Sequence, residues 1–483
     1  MGWFSAPQYW LSRFVFERSL AVIYGIGFLV TINQFRPLLG DHGLLPVSSF
    51  VRRVRFRDAP SLFHWRYSDR LLVGVAWVGV ALSASVVAGL PQAGPLWSSM
   101  VVWFALWALY LSIVNVGQTF YGFGWESALC EVGALAIFLG PARVAPSLLV
   151  VFLMRWMLFR LEFGAGLIKL RGDQCWRDLT CLCFHYETQP VPNPLSWFFH
   201  HLPRRVHRLE VLGNHVAQLI VPFGLFAPQP VASIAAAIII ATQVWLILSG
   251  NFSWLNVLTI TLAFFAISSG VVGHGLVVGP RLMTGPAWYE GVVVALTVLV
   301  TWLSYWPVRN LVSRRQQMNV SFNPFHFVGT YGAFGHITKQ RYEIILEGTR
   351  DPVIGADTRW VEYEFRAKPG DPQRRPPQLA PYHRRLDWLL WFAALGAPAR
   401  QPWLETLVGR LLDADPPTSA LLRHNPFGDQ PPVFVRARLF RYRFTTPAER
   451  RATGAWWSRT LAGEHLPPRR RSESAGRGVT RRR

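Results

Sequence analysis

RWMLFRLEFGAGLIKLRGDQCWRDLTCLCFHYETQPVPNPLSWFFH, residues 155–200, decides how this chain is read. The stretch lies between long apolar runs that read as membrane helices. It places Arg155, Arg160, Glu162 and Lys169 at helical spacing and holds Cys175, Cys181 and Cys183. Lys169 is the first lysine of the chain and the next is Lys339, because arginine carries almost all the positive charge. Ionisable groups at membrane depth are costly, so they face a protein interior or a water-filled cavity. Arg155 and Glu162 lie two helical turns apart, and Glu162 and Lys169 repeat that spacing, which puts the three on one face. The expectation is a polar intramembrane centre made of Arg155, Arg160, Glu162 and Lys169, with Glu126 or Glu131 of the preceding apolar stretch as counter-charges. The plainer alternative sets the same groups at helix ends, where long side chains snorkel to the interface.

Composition agrees with a membrane protein. Hydrophobic residues make up 51% of the chain, and Trp and Phe are abundant, as aromatic belts at bilayer interfaces require. The net charge of +22 could suggest nucleic acid. Its distribution argues against that, since the arginines cluster in loops beside apolar spans and in the tail. Such clustering fits the positive-inside rule and contact with anionic membrane lipid. The first apolar run has no small-residue cleavage site, so it reads as a retained anchor rather than a signal peptide. Arg-rich, Lys-poor usage points to a high-GC bacterium.

Runs of spanning length occur near 14–34, 71–90, 96–116, 126–141, 146–168, 210–227, 231–249, 253–270 and 290–308. By the length criterion these predict about nine helices, the fourth short enough to be re-entrant. Long loops at 35–70 and 171–209 interrupt them, and loops of that length are usually functional. Both are rich in arginine, and a nine-helix count puts them on one side, which the arginines assign to the cytoplasm. After Arg309 the character changes. YEIILEGT at 342–349, VEYEFRAK at 361–368 and FVRARLFRYRF at 434–444 alternate as strands do. RRLDWLLWFAAL at 384–395 and WLETLVGRLLD at 403–413 read as amphipathic helices. The fold class expected is a polytopic α-helical membrane bundle over 1–312, followed by a mixed α+β extramembrane domain over 313–465 and a disordered basic tail over 466–483.

Few motifs carry chemistry. Cys175, Cys181, Cys183 and His185 form C-x5-C-x-C-x-H, which matches no standard zinc spacing, so no metal is expected. A disulfide among the three cysteines requires an oxidising compartment, and free or packed thiols are the simpler reading. There is no P-loop, dinucleotide fingerprint, HExxH helix or nucleophile elbow, and no cofactor is expected.

Several blocks together resemble one family. They are NQFRPLLGDHGLLPV at 33–47, GQTFYGFGWESALCEVGALAIFLGP at 117–141, the block at 155–197, ILSGNFSWLN at 247–256, NPFHFVGTYGAFGHITKQRYEIILEGT at 323–349, YEFRAKPGDPQRRPPQLAPYHRRLDWLLWFAAL at 363–395 and HNPFGDQPPVFVRARLFRYRF at 424–444. Long and in order from about residue 20 to 465, they resemble the lipase maturation factors. The resemblance implies a membrane-anchored folding or assembly factor whose partner is a client protein, a lipase; it supplies no catalytic residues to transfer and leaves open whether the factor is itself an enzyme. It implies an endoplasmic reticulum membrane for eukaryotic members and a plasma membrane for a bacterial one, with the C-terminal domain on the lumenal or outer side. The family blocks outside the membrane suggest client contact through Asn323, Tyr331, Arg341, Tyr363, Asp387 and Trp388. GAGLIKL at 164–170, followed by Cys175 and Trp176, is also similar to the AG-x-x-KL…W segment in the membrane part of vitamin K-dependent carboxylase. That likeness implies an alternative, an intramembrane enzyme with Lys169 as catalytic base.

Overall fold

The computed structural model describes residues 3–272, 279–396 and 401–471. Its longer N-terminal helices are α1 (Trp10–Leu39), α2 (Asp69–Val87), α3 (Leu96–Val116), α4 (Gly124–Ala136), α5 (Leu148–Arg171), α6 (Arg204–Leu219), α7 (Val231–Ser249), α8 (Leu255–Ala263) and α9 (Ala287–Leu303). Local signals set their ends. The Ser68 hydroxyl accepts from Leu71 N to cap α2, with Asp69 in the first turn, and proline precedes α3 and α9.

Among the described residues six helices are long and apolar enough to cross a membrane: Pro7–Leu39, Asp69–Val87, Leu96–Val116, Arg204–Phe226, Val231–Ser249 and Ala287–Val312. All nine expected runs are helical, but three of them fall short of these criteria of length and apolarity. The run at 126–141 gives only the 13 residues of α4. The run at 253–270 gives α8 and one 3-10 turn, Phe264–Ala266. The run at 146–168 gives α5, which has 24 residues but carries too many charges. The physical reason is shared. α4, α5 and α8 are interior helices: α5 packs against α4, α6, α8 and α9, and α4 is buried almost throughout. A helix shielded by others need not match the bilayer in length or polarity. Where Gly133 of α4 meets α1, a Cβ would overlap the Tyr24 hydroxyl, which donates to Leu129 O at 3.0 Å. The outer helices instead expose large apolar side chains, among them Trp77, Phe104, Leu212, Ile234, Val298 and Trp302. Apolar surface on this scale needs lipid around it, and the chain is an integral membrane protein.

The helices run up and down. The C-terminal ends of α1, α3, α5 and α7 meet the later chain: Gln34 Nε2 donates to His383 O, Asn115 Nδ2 to Pro324 O, Asp173 N to Gly335 O and Asn251 Nδ2 to Pro377 O. Asn115 Nδ2 also donates to Pro60 O, and Gln118 Nε2 to Leu45 O. The loops 35–70 and 171–209 and the C-terminal region therefore share one face. On the opposite face Arg13 donates to Leu139 O, Ala142 O and Val144 O.

The C-terminal region holds β1 (Val320–Ser321), β2 (Gly329–Thr330), β3 (Arg341–Thr349), β4 (Val361–Glu362), β5 (Glu364–Phe365), β6 (Leu422–His424), β7 (Phe434–Phe444) and β8 (Trp457–Arg470), with helices α10 (Arg385–Ala394) and α11 (Pro402–Leu412). Its main sheet is antiparallel in the order β4-β3-β7-β8. Two strand expectations change. The run at 361–368 breaks into β4 and β5, which belong to different sheets. The segment expected to begin a disordered tail at 466 continues β8 to Arg470; Pro467 and Pro468 are tolerated because β8 is an edge strand. The tail from 472 lies outside the described residues. β7 buries its two faces at opposite ends, Val435 and Ala437 in the main core and Phe440, Tyr442 and Phe444 in a cluster with Trp197 and Trp457. The main core runs without a break from Phe16 of α1 to Trp388 and Leu407 of the C-terminal helices.

Candidate functional site

Arg155, Arg160, Glu162 and Lys169 on α5, and Glu126 and Glu131 on α4, are all buried. The packing divides them into four separate arrangements. Arg155 lies toward the far end, where it donates to Phe265 O (2.9 Å), Leu225 O (3.1 Å) and the Tyr9 hydroxyl (2.6 Å). Two backbone carbonyls and a tyrosine hydroxyl, not a carboxylate, satisfy this cation.

Arg160 and Glu131 form a buried ion pair. Both also grip the first strand pair beyond the bundle. Arg160 donates to Gly329 O at 2.6 Å, and Glu131 accepts from Gly329 N at 2.9 Å and from the Tyr331 hydroxyl at 2.6 Å. A carboxylate takes several donors when ionised, so one α4 residue fixes both α5 and β2.

Glu126 pairs with a residue far along the chain. It accepts from Arg385 Nη1 at 2.7 Å and from the Tyr110 hydroxyl, and His383 Nδ1 lies 3.8 Å away. Arg385 also donates to Phe120 O and lies 3.4 Å over the Tyr121 ring. Gln34 clamps the same segment, its Nε2 donating to His383 O and its Oε1 accepting from Arg385 N. Burial pushes the His383 imidazole down to about 4 despite the neighbouring carboxylate, so it is neutral here. The expected partners of Glu126 on α5 are thus corrected: the latch comes from the start of α10. HRRLD was visible as a family block, but nothing local marks Arg385 as a bundle residue.

Glu162 and Lys169 do share a face, and both reach α6. Glu162 accepts from Gln218 Nε2 (3.2 Å) and from Gln243 Nε2 of α7 (2.7 Å). Lys169 donates to Gln218 Oε1 (2.8 Å) and Asn214 Oδ1 (3.1 Å). Neither Glu126 nor Glu131 serves them as counter-charge. Gln218, Gln243 and Asn214 had no distinguishing sequence signal, since neutral amides in apolar helices look like tolerated substitutions.

The six residues expected to meet a client are placed differently. Tyr331, Arg341, Tyr363, Asp387 and Trp388 are buried, and Asn323 is half-buried. Arg341 pairs with Glu343 and donates to Glu187 O and Pro190 O. Asp387 accepts from Ala367 N and Lys368 N, and burial raises its carboxyl above the usual range. Trp388 packs on Trp125, and Asn323 Oδ1 accepts from Phe325 N and Phe327 N. The five buried groups hold the fold and offer little surface to a separate protein, whereas Asn323 keeps partial exposure.

In the 171–209 loop Cys175 and Cys181 form a disulfide, and Cys130 and Cys183 are free. The bridge sits in a small core with Trp176, Val211 and Ile337. Among the described residues no group of three or more His, Cys, Asp or Glu is placed to hold a metal ion.

Comparison with known proteins identifies this architecture. The lipase maturation factor transmembrane domain matches residues 11–273, and the lipase maturation factor C-terminal domain matches 327–467. The chain is 42% identical to lipase maturation factor 1 of Bos taurus over 98% of its length and 91% of the relative's. It is 41% identical to lipase maturation factor 1 of Homo sapiens over 95% and 88%, and 29% identical to lipase maturation factor 2 of Homo sapiens over 95% and 82%. No solved structure matches. Nothing in these matches supports the carboxylase alternative for Lys169. Two domain matches in sequence order and near-complete coverage by relatives lead to one conclusion: the chain belongs to the lipase maturation factor family.

Proposed function

We propose that this protein is a membrane-anchored maturation factor that brings a secreted lipase to its active folded state. The observation that carries this is the 42% identity across 98% of the chain, which takes in the bundle and the C-terminal region together. The buried latches favour a single working unit. Glu131 and Glu126 hold the chain at Gly329–Tyr331 and at Arg385, so the bundle serves as platform for the C-terminal surface. On this reading the client meets exposed apolar residues of that region, such as Val353, Ile354 and Leu461, rather than the buried residues named above.

The face carrying the long loops is assigned to the outer side of a bacterial plasma membrane, or to the lumen in a eukaryote. Its arginines argue for the cytoplasm under the positive-inside rule, but the Cys175–Cys181 disulfide argues for an oxidising compartment. We weigh the disulfide more heavily, because cytosolic reductants act on the bond itself while arginine bias is a statistical tendency. Secreted clients also fold on that side.

The test is co-expression with a secreted lipase, measuring lipase specific activity with and without the chain. Val353→Glu with Ile354→Glu should lower that activity while leaving the factor's abundance unchanged. Equal lipase activity with and without the chain would refute the maturation reading. Reporter fusions at Gly172 test the orientation separately.

A further inference from the structure

A cavity of about 740 Å³ lies between α5, α6, α7 and α8. That volume falls within the roughly 300–1,000 Å³ of small-molecule sites. Its wall is mostly apolar. Leu209, Leu212, Val216, Ile238 and Trp245 line it and are also exposed at the surface of α6 and α7, two of the membrane-spanning helices. On this side the mouth lies between α6 and α7, on the flank of the bundle that lipid would cover.

Polar groups at the inner end are fixed by a chain of hydrogen bonds. Gln218 and Gln243 each present an amide N–H to Glu162. Their carbonyl oxygens then face away. The Gln218 oxygen accepts from Lys169, and the Gln243 oxygen accepts from Asn256 Nδ2 at 2.7 Å. Asn256 cannot flip without losing that bond. Among the described residues its Oδ1 is buried with no hydrogen-bond partner, and the residue is only 3% exposed. A buried acceptor of this kind costs free energy unless something donates to it. Among the described residues Lys169 commits two of its three N–H groups, to Asn214 and Gln218, and the third has no hydrogen-bond acceptor, although the ammonium lies 5.1 Å from the Trp176 ring centroid. Both Lys169 and Asn256 line the cavity.

We propose that this cavity binds one single-chain lipid from the bilayer, through a head group that bears both a hydroxyl hydrogen and a carbonyl oxygen. The carbonyl accepts from Lys169, the hydroxyl donates to Asn256 Oδ1, and the acyl chain lies along Leu212, Val216 and Ile238. A protonated fatty acid and a monoacylglycerol share this chemistry. A fatty-acid methyl ester has the carbonyl and the chain but no donor. The site is independent of the client reading, so lipid binding and lipase maturation can fail separately.

The test uses the purified full chain in detergent, titrated with oleic acid, monoolein or methyl oleate. Binding is followed by native mass spectrometry and by the fluorescence of Trp176 and Trp245, which line the cavity. We expect saturable one-to-one binding of oleic acid or monoolein, and the tighter of the two names the head group. Methyl oleate should bind about tenfold more weakly, the effect of one unmade hydrogen bond. Asn256→Leu should remove that discrimination. Gly213→Trp should abolish binding, since Gly213 lines the cavity and an added Cβ meets no atom within 4 Å. Absence of a saturable complex, equal affinity for methyl oleate in the wild-type chain, or undiminished binding by Gly213→Trp would each overturn the proposal. The ligand series on the wild-type protein needs no variant to fold.

Discussion

Replacing Arg385 by methionine removes the only cation within ion-pair distance of Glu126 among the described residues, apart from the neutral His383. It also removes the bond to Phe120 O and the stacking on Tyr121. Breaking one partner of a buried ion pair typically costs about 3–5 kcal/mol, because the remaining charge stays buried. Tyr110 still donates to Glu126, which places the expected loss near the lower end, about 3 kcal/mol. Glu126→Gln alone should be costly as well. The double variant should be less destabilised than the sum of the two, by about 2 kcal/mol, since neither charge is then stranded. Denaturant unfolding in detergent, read by tryptophan fluorescence, measures this; Trp254 lies 6.0 Å from the guanidinium and reports locally. Cleavage by trypsin near Arg314 and Arg315 should also quicken as the C-terminal region loosens from the bundle. A loss under about 1 kcal/mol, with additive single effects, would show that Arg385 does not latch the two parts together.

Three further outcomes follow from the same contacts. Lys169→Met should cost only about 1–3 kcal/mol, the price of leaving Asn214 Oδ1 without a donor, and should preserve lipase maturation per molecule of factor; lost maturation at full abundance would instead give Lys169 a chemical role. Burial lowers His383, His200 and His326 to about 4 from 6.5, so the unfolded chain binds more protons in that interval; their contribution to stability is complete above pH 6.5 and is lost as pH falls toward 4, and a melting temperature flat across that window would contradict it. Alkylation of the denatured, unreduced protein should label Cys130 and Cys183 alone, and Cys175→Ser should destabilise the chain by about 2 kcal/mol through the small core around Trp176; labelling of all four thiols would rule out the bridge.

Much of the architecture is legible in the residues themselves. Apolar runs of spanning length mark the outer helices, because the bilayer core imposes one length on every helix that lipid surrounds. Alternation marks β3 and β7, where each strand has distinct faces. The stripe of Arg155, Arg160, Glu162 and Lys169 is equally visible, since charge in an apolar helix is rare enough to stand out. These signals are local: each depends on residues a few positions apart.

Which charge meets which is not local. Arg385 lies 259 positions from Glu126, and Tyr331 lies 200 from Glu131, and no periodicity links either pair. The same limit explains why three of the nine expected helices fall short as spans. α4 and α8 are short and α5 is charged because other helices shield them, and shielding is a property of packing rather than of hydropathy. It explains the residues first assigned to a client as well: Arg341, Tyr363 and Asp387 look functional in sequence, but only the folded chain shows that they are enclosed. Sequence by itself determined which runs are apolar enough to be helices of the bundle and which residues are too polar to face lipid. Tertiary structure alone decided their partners, because a buried charge is satisfied by whatever donor or acceptor the packing brings within hydrogen-bond reach.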